Sequence, residues 1–204
     1  VKPVRDRSPI ASGDGSSVAR LQVMSRNRLA AILVVLASCG PETTSFRTTD
    51  KGDGTDRSPP AAAYAVRAGG RLVARVHVWS NGGYVGNTEE PMTHVGFEVE
   101  NPTRRAVIFD GDALALSLFD NTGAALPPAR FTAITPLGPS QLAIAPGETL
   151  AFDSYFLLPV RPRVIDHMRV QWVLRADDER AVETTSFTRD DEYPVTDYRT
   201  PPRS

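Results

Sequence analysis

The sequence predicts an all-β domain, an antiparallel two-sheet sandwich, standing behind a separate N-terminal segment. Three observations carry this reading. Apolar and polar residues alternate with a period of two in several short runs, clusters of Asn, Asp, Gly and Pro separate those runs, and no part of the domain sustains a helical period over three turns. Eight or so short strands over about 120 residues suit a two-sheet antiparallel sandwich, with a jelly roll or an open barrel as the other closures of the same pattern.

The elements follow in order. Leu72, Ala74, Val76 and Val78 alternate with Val73, Arg75, His77 and Trp79, so one face of this strand is buried; Asn81-Gly82-Gly83 is expected to break it. Val95, Phe97 and Val99 alternate with Gly96, Glu98 and Glu100, and Asn101-Pro102-Thr103 makes the turn that follows. Ala106 to Phe109 reads as a short strand, and Leu114, Leu116 and Leu118 form the apolar face of the next, closed by Asp120-Asn121-Thr122-Gly123. Pro127-Pro128 and Pro136 to Pro139 bracket a weaker strand around Phe131. Pro146-Gly147 is a tight turn leading into Leu150, Phe152, Ser154 and Phe156, which ends at Pro159 and Pro162. Met168, Val170, Trp172 and Leu174 alternate with Arg169, Gln171, Val173 and Arg175, and Asp177-Asp178-Glu179 turns the chain into a last strand through Val182, Thr184 and Ser186. These runs place the domain at residues 67–189, of a size that suits an immunoglobulin-like sandwich, with residues 190–204 as a loose tail.

Ahead of the domain, Met24 to Gly40 has the order of a secretory signal. Arg26 and Arg28 precede an uncharged run from Leu29 to Ala37, and small residues then lead into Cys39, the only cysteine of the chain. The run is well short of the roughly 20 apolar residues a membrane-crossing helix needs. Leu36-Ala37-Ser38-Cys39 resembles the lipobox of bacterial lipoprotein precursors. The resemblance implies that residues 24–38 are a signal peptide, that the Cys39 sulfur carries a diacylglyceryl group, and that cleavage falls just ahead of it. Two acyl chains hold a protein durably where one holds it only reversibly. Gly40, where the family's inner-membrane members usually carry aspartate, then favours the outer membrane if the cell is Gram-negative. Residues 1–23 are polar and without period, and we expect translation to begin at Met24, the preceding residues being an over-extended reading of the gene. Residues 39–66, rich in Thr, Ser, Gly, Asp and Pro, are expected to be the lipidated cysteine and a flexible tether.

Composition narrows the function classes. A net charge of −1 and an apolar fraction of 41% describe an ordinary globular domain and supply no basic stripe with interleaved aromatics for nucleic acid. With Cys39 committed to lipid, no intramolecular disulfide is available, and no cofactor motif is present; there is no Gly-x-Ser-x-Gly and no glycine-rich phosphate loop. His77, His94 and His167 are expected to be surface histidines. A sharper reading pairs methionine with histidine: Met92 stands two residues before His94, and His167 adjoins Met168. Thioether and imidazole together suit copper(I), which makes Met92, His94 and His167 the copper candidates, although Met168 falls in phase with the core. Asp110-Gly111-Asp112 could offer oxygen ligands to calcium but lacks the loop length and terminal glutamate of a calcium hand. Asp177-Asp178-Glu179 and Asp190-Asp191-Glu192 read as solvated turns.

The turn residues Glu100-Asn101-Pro102-Thr103, Asp120-Asn121-Thr122-Gly123 and Ala145-Pro146-Gly147-Glu148-Thr149 are spaced as in envelope immunoglobulin-like modules, over roughly residues 95–158. The spacing is also similar to that of the intracellular proteinase inhibitor family of bacilli, whose tryptophan-containing loops this sequence lacks. The reading that follows is a non-enzymatic lipoprotein, held to the membrane through Cys39, that presents an immunoglobulin-like interaction or structural module to an envelope protein or glycan. The alternative is an envelope ligand-binding or copper-binding β-sandwich.

Overall fold

The computed structural model describes residues 42–50, 60–85, 90–135 and 140–192. The expected leader 1–23, the signal segment 24–38, Cys39 and the tail beyond residue 192 lie outside them. Twelve strands are present among the described residues: β1 (Thr43–Thr44), β2 (Phe46–Thr48), β3 (Ala62–Ala68), β4 (Arg71–Val85), β5 (Pro91–Glu100), β6 (Val107–Asp110), β7 (Ala115–Phe119), β8 (Arg130–Thr135), β9 (Gln141–Ile144), β10 (Thr149–Leu157), β11 (His167–Ala176) and β12 (Glu179–Arg189). Every pairing between them is antiparallel. One sheet runs β1-β4-β5-β10-β8, with β3 beside the first half of β4; the other runs β2-β12-β11-β6-β9, with β7 beside the first half of β11. The fold is a two-sheet antiparallel sandwich, as the alternation predicts.

The core forms where the inward residues of the two sheets meet. Phe97 and Phe152 come from the first sheet, Phe109 and Trp172 from the second, and their rings interlock at centroid distances of 4.7–6.2 Å. Each is at most 3% exposed, and full burial of one such side chain contributes about 1.5–3 kcal/mol. The predicted inward sets Val95/Phe97/Val99, Leu114/Leu116/Leu118 and Met168/Val170/Trp172/Leu174 are buried, and of Leu72/Ala74/Val76/Val78 the last three are, while Leu72 is half-buried and its neighbour Val73 is buried. The Trp172 indole N–H finds its partner inside, donating to Thr185 Oγ1 at 3.0 Å.

Two expectations are corrected. Residues 43–44, 46–48 and 62–66, expected in the tether, lie in strands, so the sandwich starts before residue 67. β1 pairs with the end of β4 and β2 with the end of β12, so residues 43–48 close an edge of both sheets, and Phe46 is 5% exposed within the core. Composition hid this, because one aromatic residue among polar ones is enough when both neighbouring edges lack a strand. Second, β4 does not end at Asn81-Gly82-Gly83; it passes through a bulge between Trp79 and Gly82 and continues to Val85. Gly82 has φ +98°, and a Cβ there would stand 2.4 Å from the Thr44 carbonyl oxygen, so its lack of a side chain lets β1 close on the strand. The last strand, β12, turns Ala181, Thr185 and Phe187 inward and leaves Val182 51% exposed. Seating Phe187 in the core and Thr185 under Trp172 sets the phase, and a shift of one residue reverses every side chain.

Candidate functional site

The register of β4 on β5 shifts between Trp79 and Gly82, and side chains bond to the backbone at the bulge. Ser80 Oγ donates to the His94 carbonyl at 2.7 Å and accepts from the Gly82 N–H at 3.0 Å, while Thr93 Oγ1 donates to the Gly82 carbonyl at 3.0 Å. The Asn81 N–H donates to His94 Nδ1 at 3.2 Å, which leaves the ring proton on Nε2, directed at Asp153 Oδ1 2.7 Å away. Ser80, Thr93 and His94 are all buried. Both nitrogens of His94 are therefore used by the fold, and no lone pair remains for a substrate proton or a metal. Beside this network the Trp79 ring lies across Gly96, where an added Cβ would come 2.2 Å from Cε2. Among the described residues the buried Trp79 indole N–H has no partner.

The sequence-selected residues scatter. His94, expected at the surface, is 2% exposed because the bulge needs an acceptor there. His77 is half-buried on β4, and exposed His167 on β11 pairs through Nδ1 with Asp166 at 2.7 Å. Met92 is half-buried on β5, in the same sheet as His94, whereas His167 belongs to the other sheet and Met168 is fully buried in the core. Among the described residues no three His, Cys, Asp or Glu side chains gather in a way that could hold a metal ion. The carboxylates are mostly engaged elsewhere: Asp110 accepts from Arg175 Nε at 3.0 Å and also from Nη2, Asp112 accepts from Ser140 at 2.9 Å, and Asp191 lies 3.4 Å from Arg189.

At the end of the sandwich where β4 begins, the Asn101 side chain ties the turn after β5 to the turn between β9 and β10. Fully buried, its amide nitrogen lies 2.7, 3.0 and 3.1 Å from the carbonyls of Arg105, Ile144 and Ala145, and its Oδ1 accepts from the Thr103 N–H and hydroxyl at 3.0 and 2.7 Å. The backbone of Asn101 adds two more bonds, to the Glu148 carbonyl at 2.9 Å and from the Gly147 N–H at 2.8 Å. The held loop presents Arg104 and Arg105 to a cavity of about 360 Å³, which Arg71, Asp177, Leu72 and Ala106 also line. Arg105 Nη1 lies 2.7 Å and Arg71 Nη2 3.9 Å from the same Asp177 oxygen. Asp177 adopts φ +56°, the left-handed conformation of a tight turn between β11 and β12. This cavity, lined by Arg71, Arg104 and Arg105 with two of their guanidinium groups beside the Asp177 carboxylate, is the candidate functional site.

No protein-family model matches this chain. No curated protein matches it either. Among solved structures, a FixG-related protein from Vibrio parahaemolyticus is similar at 14% identity and a TM-score of 0.35, covering 56% of this chain and 94% of that one. A likeness of that size assigns neither fold nor function, so the site rests on its own geometry.

Tyrosines mark where the sheets are sealed. Tyr64 packs edge-on against Trp172 at 5.4 Å and donates to Asp50 Oδ2 at 2.7 Å; burial, with a further push from the Asp50 carboxylate, holds its phenol well above the ordinary value. Burial also raises Tyr84 and Tyr155, the latter beside Asp153. Sequence reasoning passed over Asn101, which looked like one more turn residue, and the Arg104-Arg105 pair. An asparagine followed by proline at a strand end was the available signal for the first. For the second there was none, since Arg71, Arg105 and Asp177 are distant in sequence.

Proposed function

We propose that the chain is a non-enzymatic bacterial lipoprotein that holds an interaction module at the cell envelope and presents the arginine-lined end of its sandwich to a partner. The observation that carries this is the polarity of β4. Its last residue, Val85, donates to the Glu42 carbonyl at 3.0 Å, so the chain enters the sandwich at that end, while its first residue, Arg71, lines the cavity at the other. Fifteen residues of strand separate the two, roughly 45 Å at about 3.3 Å per residue.

The lipobox Leu36-Ala37-Ser38-Cys39 supports the anchor, and Cys39 precedes Glu42 by three residues, about 11 Å of backbone at full stretch. Anchoring at Cys39 would set the entering end toward the lipid and the arginines outward, toward an envelope protein or glycan. The test is fractionation of the native host expressing either the parent chain or Cys39→Ser. The parent is expected with the membranes and the variant unprocessed or released; a variant processed and sedimenting like the parent overturns the anchor.

A further inference from the structure

We propose that the arginine-lined cavity captures the C-terminal carboxylate of a peptide or protein whose last side chain is small to medium and apolar. This deepens the interaction-module reading by giving its outward end a ligand class, and it does not depend on the lipid. The first observation is that the site already holds a carboxylate. Asp177 is gripped by Arg105 at 2.7 Å with Arg71 3.9 Å away, so guanidinium groups are arranged around an acceptor of this kind.

The second is surplus positive charge. Arg71, Arg104 and Arg105 line the cavity against Asp177 as its one lining carboxylate, and Arg104 is exposed and pairs with no carboxylate among the described residues. The third is the apolar part of the lining, where Leu72 and Ala106 offer surface beside the cations, a combination that suits an anion carried on an apolar group. At about 360 Å³ the cavity is near the small end of ligand clefts, room for the last one or two residues of a peptide rather than for a long acyl chain. Finally, the rim is set in advance. Asn101 pins the loop carrying Arg104 and Arg105 through the Arg105 carbonyl, so little loop ordering is needed on binding.

The experiment titrates acetyl-Ala-Leu, as its free acid and as its amide, into the full chain bearing Cys39→Ser, following backbone amide shifts by NMR. The acid is expected to shift the amides of residues 102–106 and 177 and to bind at least tenfold more tightly than the amide. Arg104→Gln with Arg105→Gln should weaken the acid at least tenfold. Both side chains are exposed and the Arg105 carbonyl that Asn101 uses is unchanged, so the fold persists and its spectrum verifies this. Asp177→Asn, which tolerates the same backbone conformation and removes the internal competitor, should tighten the acid at least threefold. Equal binding of acid and amide, no shifts at millimolar acid, or a double arginine variant that binds like the parent overturns the proposal. Tighter binding of hexyl phosphate than of the peptide acid overturns the carboxylate assignment. Because the chain carries Cys39→Ser, none of these outcomes turns on lipidation.

Discussion

Replacing Asn101 by alanine tests the structural basis of the outward loops. The side chain is fully buried and supplies, among the described residues, the one side-chain donor to the buried Ile144 carbonyl, while also serving the carbonyls of Arg105 and Ala145 and accepting from Thr103 twice. A buried polar group left without a partner costs about 1–3 kcal/mol, whereas groups nearer the surface regain water. One fully buried carbonyl and two or three partly buried groups therefore give a loss of about 3 kcal/mol. With a urea m-value of about 1–3 kcal/mol per molar, the midpoint should fall by about 1–3 M without a change in slope. Asn101→Asp keeps the acceptor oxygen but turns an oxygen toward the three carbonyls, so at neutral pH it should be at least as unstable as the alanine variant. A loss within about 0.5 kcal/mol for alanine, or an aspartate variant as stable as the parent, would refute the reasoning.

Other outcomes follow from the same geometry. Gly96→Ala must displace the Trp79 ring, which lies 2.2 Å from the new Cβ, so a loss of about 2 kcal/mol or more and a red-shifted tryptophan emission are expected; unchanged emission would mean the ring has room. Phe46→Ala should cost about 3–5 kcal/mol in urea unfolding, and an unaffected midpoint would return residues 43–48 to the tether. The raised phenols of Tyr64, Tyr84 and Tyr155 favour the protonated folded state, so their contribution is complete below about pH 10, where an unfolded phenol begins to ionise, and is lost as pH rises through the folded values. Thermal melts between pH 9 and 12 should show this decline, and Tyr64→Phe should flatten it; a parallel slope in the variant would mean that Tyr64 carries none of it.

The strands that bury one face were legible because their period is strict: Val95, Phe97 and Val99, or Met168 through Leu174, leave one choice of phase. β12 was not, since Val182, Thr184 and Ser186 look as plausible as Ala181, Thr185 and Phe187 until Trp172 is placed above Thr185. Glycine misled at Gly82 and Gly83, which read as a strand end and serve instead as the close approach of β1 and, 2.9 Å from a Cβ at Gly83, of Pro162. His94 looked solvated because alternation turns it away from the core, and only the bulge, a tertiary feature, shows why an imidazole is buried on that face. The arginine cavity draws on Arg71, Arg104 and Asp177, side chains that only the folded topology brings together.

The central claim, a sandwich anchored by lipid at its point of entry, is tested most directly by the intact mass of the mature protein extracted from the native host's membranes. The account expects a chain that begins at Cys39 and carries a mass increment of a diacylglyceryl group, with or without a further acyl chain. A mature chain that retains residues ahead of Cys39, or one whose cysteine bears no lipid, would contradict it.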